Sequence, residues 1–193
     1  MLPTKVGRHD PVCLAWIMIM DPIELRRQAE LRAAENASFR NFLKHYSKLS
    51  AEEVDRLVSQ ISDRVWKVVD CTTCGNCCRE VSPMLDKKDV ERLARHLGTT
   101  ESEFVAKHLL PAESGEDFPW IMRERPCPFL RENRCSVYDQ RPDSCRCYPY
   151  LDKPDFVYRT LSMMERLYDC PAVFEVWEQL KAATGFRRRG RSR

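Results

Sequence analysis

The 193-residue sequence predicts a mainly α fold with cysteine-rich loops and one short β-hairpin, a small α+β arrangement being the alternative. Three observations lead there. Apolar residues recur at three- and four-residue spacing over long segments toward both ends of the chain. Helix start and stop residues bracket those segments. Strand-like runs are sparse and confined to the stretch between Phe118 and Tyr138. Charged residues make up 32% and apolar ones 43%, a globular balance that excludes a wholly disordered chain. The length suits one core with an appended helical arm better than two full domains.

From Pro22 to Tyr46, Ile23, Leu25, Ala29, Ala33, Phe39, Phe42, Leu43 and Tyr46 form an apolar stripe, with Asp21 as N-cap and Pro22 at the first helical position. This predicts a helix, broken near Asn36. A second helix opens at Ser50 with a Ser50–Glu53 capping box and carries Val54, Leu57, Val58, Ile61, Val65 and Val68/Val69, delivering the chain into Cys71. Asp86 caps a third, which stops at Gly98, and Thr100 with Glu103 opens a fourth that ends before Pro111. Ala112 to Glu116 reads as a turn. Phe118–Arg125 and Cys135–Tyr138 are expected to pair as a hairpin around Arg131–Arg134. Tyr158–Tyr168 and Pro171–Thr184 complete the helices, the last with Pro171 at its start and Gly185 beyond its end.

The ends of the chain read differently from its body. The formal charge is +3, and removing the five arginines of Arg187–Arg193 leaves −2, so the body is not basic. Residues 186–193 are expected to be a solvated basic tail, and nucleic-acid contact is expected nowhere else. The longest apolar run, Val12 to Met20, is far short of the about 20 residues a bilayer requires, so no membrane is expected. Lys5 and Arg8 imitate the basic start of a signal peptide, yet no small-x-small cleavage site follows. Residues 1–19, with Cys13, are read as an over-extended translation start or a disordered segment. Residues 20–69 then form a helical arm and 70–185 the cysteine-rich domain. The expected location is cytoplasmic.

Four of the ten cysteines fall in the eight residues Cys71 to Cys78, within DCTTCGNCCRE. Five more follow: Cys127, Cys135, Cys145, Cys147 and Cys170. A disulfide framework belongs to small secreted domains, and here neither a secretion signal nor a missing core calls for staples. Metal binding explains the density better. Two residues between thiolates let one turn aim both sulfurs at a common ion, and Gly75 supplies the positive φ that such a turn needs. Neighbouring Cys77 and Cys78 cannot easily serve one tetrahedral ion, so Cys127, Cys135, Cys145 and Cys170 are the natural suppliers of further ligands. Eight thiols suffice for two four-thiolate sites, or for one iron–sulfur cluster with thiols left over.

Zinc and iron–sulfur clusters both accept four thiolates. The run CxxCxxC followed by a remote Cys-Pro, as in Cys127-Pro128 or Cys170-Pro171, resembles bacterial ferredoxins and tilts the choice toward a 4Fe-4S cluster. A CxxCG knuckle is equally at home around zinc. The radical-SAM spacing CxxxCxxC is absent, as is any Gly-rich phosphate loop. Arg79, Arg141 and Arg146 are placed to offset the negative charge of a tetrathiolate centre. His45, His96 and His108 lie in predicted helices without nearby ligand partners and read as surface or packing residues. Trp66, Trp120, Tyr148, Tyr150 and Trp177 read as core and cluster cover.

CxxCxxCC, then CPFL at Cys127–Leu130, CSVY at Cys135–Tyr138, RPxxCRxYP at Arg141–Pro149 (with Cys147 in its variable position) and a late Cys170 together resemble the YkgJ-type cysteine-cluster family of zinc- or iron-chelating domains. The resemblance spans Asp70 to Pro171. It implies that Cys71, Cys74, Cys77, Cys78, Cys127, Cys135, Cys145 and Cys170 are the chelating set, and it carries over neither Cys147 nor Cys13. A similar motif in flagellin lysine-N-methylases implies that some relatives use the cluster in protein modification, although this chain lacks a recognisable SAM-binding glycine motif.

The expected function is therefore a cytoplasmic metal-binding protein that holds an iron–sulfur cluster or zinc through eight cysteines and serves electron transfer or a protein-modification reaction with an unidentified protein or redox partner. The alternative is a zinc-stabilised protein- or nucleic-acid-interaction module without catalysis. A third reading, metal trafficking, predicts labile metal that a mild chelator removes.

Overall fold

The computed structural model describes residues 21–113 and 117–187. It is mostly helical, 57% helix and 7% strand, with ten helices among the described residues and small antiparallel sheets, as the periodicity predicts. The expectations for residues 1–19 and for the arginines beyond Arg187 lie outside the described residues, as does most of the expected turn at 112–116.

Helix α1 (Pro22–Leu31) starts where Asp21 accepts from the backbone N–H groups of Ile23 and Glu24 at 2.8 and 2.9 Å. The break before α2 (Ala33–His45) falls at Arg32, not near Asn36. Asn36 lies buried inside α2, where its side-chain oxygen accepts from the Trp177 indole N–H at 3.1 Å. That tertiary bond occupies the group that would otherwise compete with the helix backbone. Helix α3 (Ala51–Val65) begins with the expected Ser50–Glu53 capping box and buries Val54, Val58, Ile61 and Val65.

Two short helices, α4 (Cys71–Cys74) and α5 (Asn76–Glu80), carry the first cysteines. After β1 (Met84–Leu85), helix α6 (Lys87–Leu97) opens at the expected cap Asp86, which forms a capping box with Asp89, and α7 (Glu101–His108) opens on the expected pair Thr100–Glu103. Strands β2 (Leu109–Pro111) and β3 (Trp120–Met122) complete a sheet of order β1-β3-β2, with Leu85 opposite Trp120 and Leu110 opposite Ile121.

The expected pairing of 118–125 with 135–138 does not form. The hairpin is instead β4 (Leu130–Arg131) with β5 (Arg134–Cys135), and Tyr138–Gln140 is a 3-10 turn. Glu132 and Asn133 both take left-handed φ values, 47° and 67°, which close a two-residue turn and set the register Arg131 to Arg134. Trp120–Met122 finds its partners elsewhere, at sheet edges contributed from positions 84–85 and 109–111.

Helix α8 (Asp143–Cys147) is followed by α9 (Thr160–Arg166), shorter than the expected 158–168, and by α10 (Pro171–Ala183). Two hydrophobic cores result. The first joins α1–α3 with α9, α10 and the loop from Leu151 to Val157, around a fully buried Trp177 whose ring meets Phe39 edge-on at 5.2 Å. Asp55 on α3 pins that loop by accepting from the N–H groups of Asp155 and Phe156 at 2.8 and 2.9 Å. Phe186 also packs here, 5.1 Å from Phe39. The second core gathers Leu85, Val90, Leu93, Phe104, Leu109, Met122, Phe129 and Val137 from the sheet and the helices beside it. Among the described residues, no helix is long and apolar enough to cross a membrane.

Candidate metal centre

Asp70 caps α4, accepting from the Thr72 N–H at 2.8 Å and the Thr72 hydroxyl at 2.7 Å. The chain then reverses at Gly75, φ 68°, into α5. A Cβ at Gly75 would lie 3.1 Å from the Arg79 guanidinium and from the Asn133 Cα and carbonyl oxygen. Only glycine therefore fits both the backbone angle and the space. This turn folds Cys71 and Cys74 back toward Cys77 and Cys78.

Later segments are drawn over this turn by backbone bonds. The Cys127 N–H donates to the Cys78 carbonyl at 2.7 Å. The β4–β5 hairpin, which packs beside α4, presents Cys135 opposite Leu130. Helix α8, with Cys145, is held by Asp89 of α6, a fully buried carboxylate that accepts from the Asp143 N–H at 3.1 Å and pairs with Arg92. The Ser144 hydroxyl adds a bond to the Met84 carbonyl at 2.7 Å. Cys170 is buried at the start of α10.

The result is a cavity of about 420 Å³ between the two cores, lined by Cys71, Cys74, Cys77, Cys78, Cys127, Cys135, Cys145 and Cys170. All eight cysteines of the expected set line this one space, and Cys147 does not. The nine cysteines of the described residues are free thiols, not disulfides. Among the described residues, no three His, Cys, Asp or Glu side chains are already gathered as a metal-holding group, so the sulfurs surround the cavity rather than a point.

Electrostatics make that cavity unfavourable for thiolates on their own. Burial pushes Cys71 and Cys127 up to about 11 and Cys145 up to about 12, and it raises Cys74, Cys135 and Cys170 too. Cys77 rises because it donates to the Cys78 sulfur and is itself buried. Cys78 alone moves down, to about 7: the bond from Cys77 outweighs desolvation, and Arg79 and Arg141 add positive charge. A soft cation would reverse the desolvation cost by replacing the lost protons. The donor set, eight thiols with one carboxylate, Asp169, already engaged by Tyr148, fits zinc or iron.

Residues beyond the cysteines complete the wall. Arg141 lies 3.7 Å over the Tyr138 ring and lowers the proton affinity of Cys71, Cys78, Cys135 and Cys145. Arg79 donates to the Cys74 carbonyl at 3.4 Å and to Asn133. Tyr148 donates its hydroxyl to Asp169, and the Arg166 guanidinium stands 5.6 Å over the Tyr148 ring and 5.1 Å over that of Tyr150. Trp66, Tyr148 and Tyr150 cover the cavity as the sequence predicts, whereas Trp120 packs in the second core and Trp177 in the first. Arg166 and Asp169 carried no sequence signal, because no motif spacing marks them, whereas Tyr138 closes the CSVY motif without having been singled out. His108 lies between Phe104 and Phe129, 5.2 Å from each ring, and does not line the cavity.

Fold and site together define a helical, cysteine-rich domain with a thiol-lined cavity. Residues 70–168 match the model of the CxxCxxCC family, described as "Putative zinc- or iron-chelating domain", and the chain belongs to that family. The match covers seven of the eight cavity thiols and Cys147, and it ends two residues before Cys170. No curated protein and no solved structure matches the chain.

Proposed function

We propose that Cys71, Cys74, Cys77, Cys78, Cys127, Cys135, Cys145 and Cys170 are metal ligands, and that the protein is a cytoplasmic metal-binding protein whose iron–sulfur chemistry serves electron transfer or protein modification with a protein partner. One observation carries this reading: thiols from several separated chain segments line one cavity, while Cys147, two residues from Cys145, stays outside it. Chance placement of apolar cysteines does not produce that selection. A cluster held there would supply one-electron chemistry, and the aromatic wall of Trp66, Tyr148 and Tyr150 would limit solvent and so tune its potential. The test is the visible absorption of anaerobically purified protein with metal analysis of the same sample. Iron with broad visible absorption is expected for the four-iron chemistry described above, at about four irons per cluster. Folded protein free of both iron and zinc refutes the proposal.

A second reading has its own support. Much of the cavity wall comes from α4, α5, the turn and second strand of the β4–β5 hairpin, and α8, elements of two to five residues that cannot hold their shape by their own hydrogen bonds. Structural zinc would fasten such loops, giving a colourless interaction module. Zinc in place of iron in that same sample decides for it.

A further inference from the structure

We propose that the eight thiols form two separate four-thiolate centres, Cys71, Cys74, Cys77 and Cys170 in one and Cys78, Cys127, Cys135 and Cys145 in the other. This deepens the ligand reading above and rests on it. A tetrahedral ion or a cubane cluster takes four thiolates, so eight donors around one space are twice what one centre uses.

The division follows the fold. Cys77 and Cys78 are successive residues of α5, about 100° apart around its axis, so they cannot both point inward to one centre without distortion. They touch each other, and each leads to a different set. Cys77 lies within electrostatic reach of Cys71 and Cys170, and Cys71 of Cys74, while Cys170 in turn feels Cys71. Cys145 is within reach of Cys78, Cys127 and Cys135, and Cys127 of Cys78 and Cys135. Among the electrostatic pairs that cross the division are those of Cys71, Cys74 and Cys77 with Cys78, the immediate neighbour of Cys77.

Packing draws the same line. Cys170 belongs to the first hydrophobic core, whereas Cys127 and Cys135 pack against the second, and the Cys127 N–H bonds to the Cys78 carbonyl. The α4 helix packs beside β5, and the thiols that interact electrostatically with Cys135 include Cys78, Cys127 and Cys145. Each centre thus bolts one core to the central α5 turn. Arg79 and Arg141 adjoin that turn, where the negative charge of two neighbouring tetrathiolates would be greatest.

The experiment is a Co²⁺ titration of reduced, metal-free full-length chain under anaerobic conditions. Sulfur-to-cobalt charge-transfer absorption is expected to saturate at two equivalents, with two metal increments in the native mass spectrum. Cys170→Ser and Cys145→Ser should each keep one equivalent and about half the absorption, and Cys147→Ser should keep both. Saturation of the unmutated chain at one equivalent overturns the division, as does loss of all Co²⁺ from both single variants when their helical circular dichroism is intact. If the unmutated chain shows no charge-transfer band at all, the ligand reading itself fails, a result distinct from either. The stoichiometry of the unmutated chain decides the matter even where a variant does not fold.

Discussion

Replacing Gly75 by alanine tests the turn on which the site depends. The residue sits at φ 68°, and an alanine Cβ would stand 3.1 Å from both the Asn133 backbone and the Arg79 guanidinium. The left-handed conformation costs a residue with a Cβ about 1–2 kcal/mol. The crowding adds to this, because Asn133 is itself held in a two-residue turn and its backbone cannot retreat cheaply. Gly98 provides the control: its φ is 67°, but nothing lies within 4 Å of the corresponding Cβ. Gly98→Ala should therefore lose only the conformational part in urea unfolding and leave metal affinity unchanged. Gly75→Ala should lose more, and because the turn aligns Cys71 and Cys74 with Cys77 and Cys78, a loss of about 2 kcal/mol should appear as roughly 30-fold weaker binding in a chelator competition. The reasoning fails if the two variants are equally stable and bind metal equally well.

Other substitutions probe the cores, the ligand set and the protons. Trp177→Phe removes the donor to buried Asn36 and should cost about 1–3 kcal/mol in the urea midpoint; an unchanged midpoint would show that the bond is not needed. Cys74→Ser should weaken metal binding by more than the about 10–100-fold that loss of a ligand-orienting group costs, whereas Cys147→Ser should change neither metal content nor unfolding, and equal metal content in the two would contradict the assignment. Metal affinity should rise with pH. Cys71, Cys127 and Cys145 keep their protons up to about 11 or 12, so binding at neutral pH must displace them, while Cys78, at about 7, releases a smaller share. A chelator competition that gives the same affinity at pH 6 and pH 8 excludes thiolate ligation.

Local signals were legible wherever one turn of chain decides the outcome. The capping boxes at Ser50, Asp86 and Thr100 mark the starts of α3, α6 and α7 because both halves of each box lie within four residues. The hairpin failed as an expectation for the converse reason. Strand propensity at 118–125 says that the segment extends but not which edge it joins, and the edges that accept it lie at positions 84–85 and 109–111. The helix break near Asn36 was likewise misplaced, since the bond that keeps Asn36 helical comes from Trp177, far along the chain.

The helical character, the Gly75 turn and the concentration of thiols follow from the order of residues alone, since these depend on backbone conformation and residue chemistry at short range. Which thiols line the same cavity depends instead on long-range packing. Cys145 and Cys147 are two residues apart on α8, and the side of that helix turned toward the cavity is set by Asp89 and Met84 of a neighbouring segment. Burial then does what no motif can express: it pushes these thiols further above neutrality, so that a bound cation is needed to hold them as thiolates, because removing water from a thiolate costs more than the nearby arginines return.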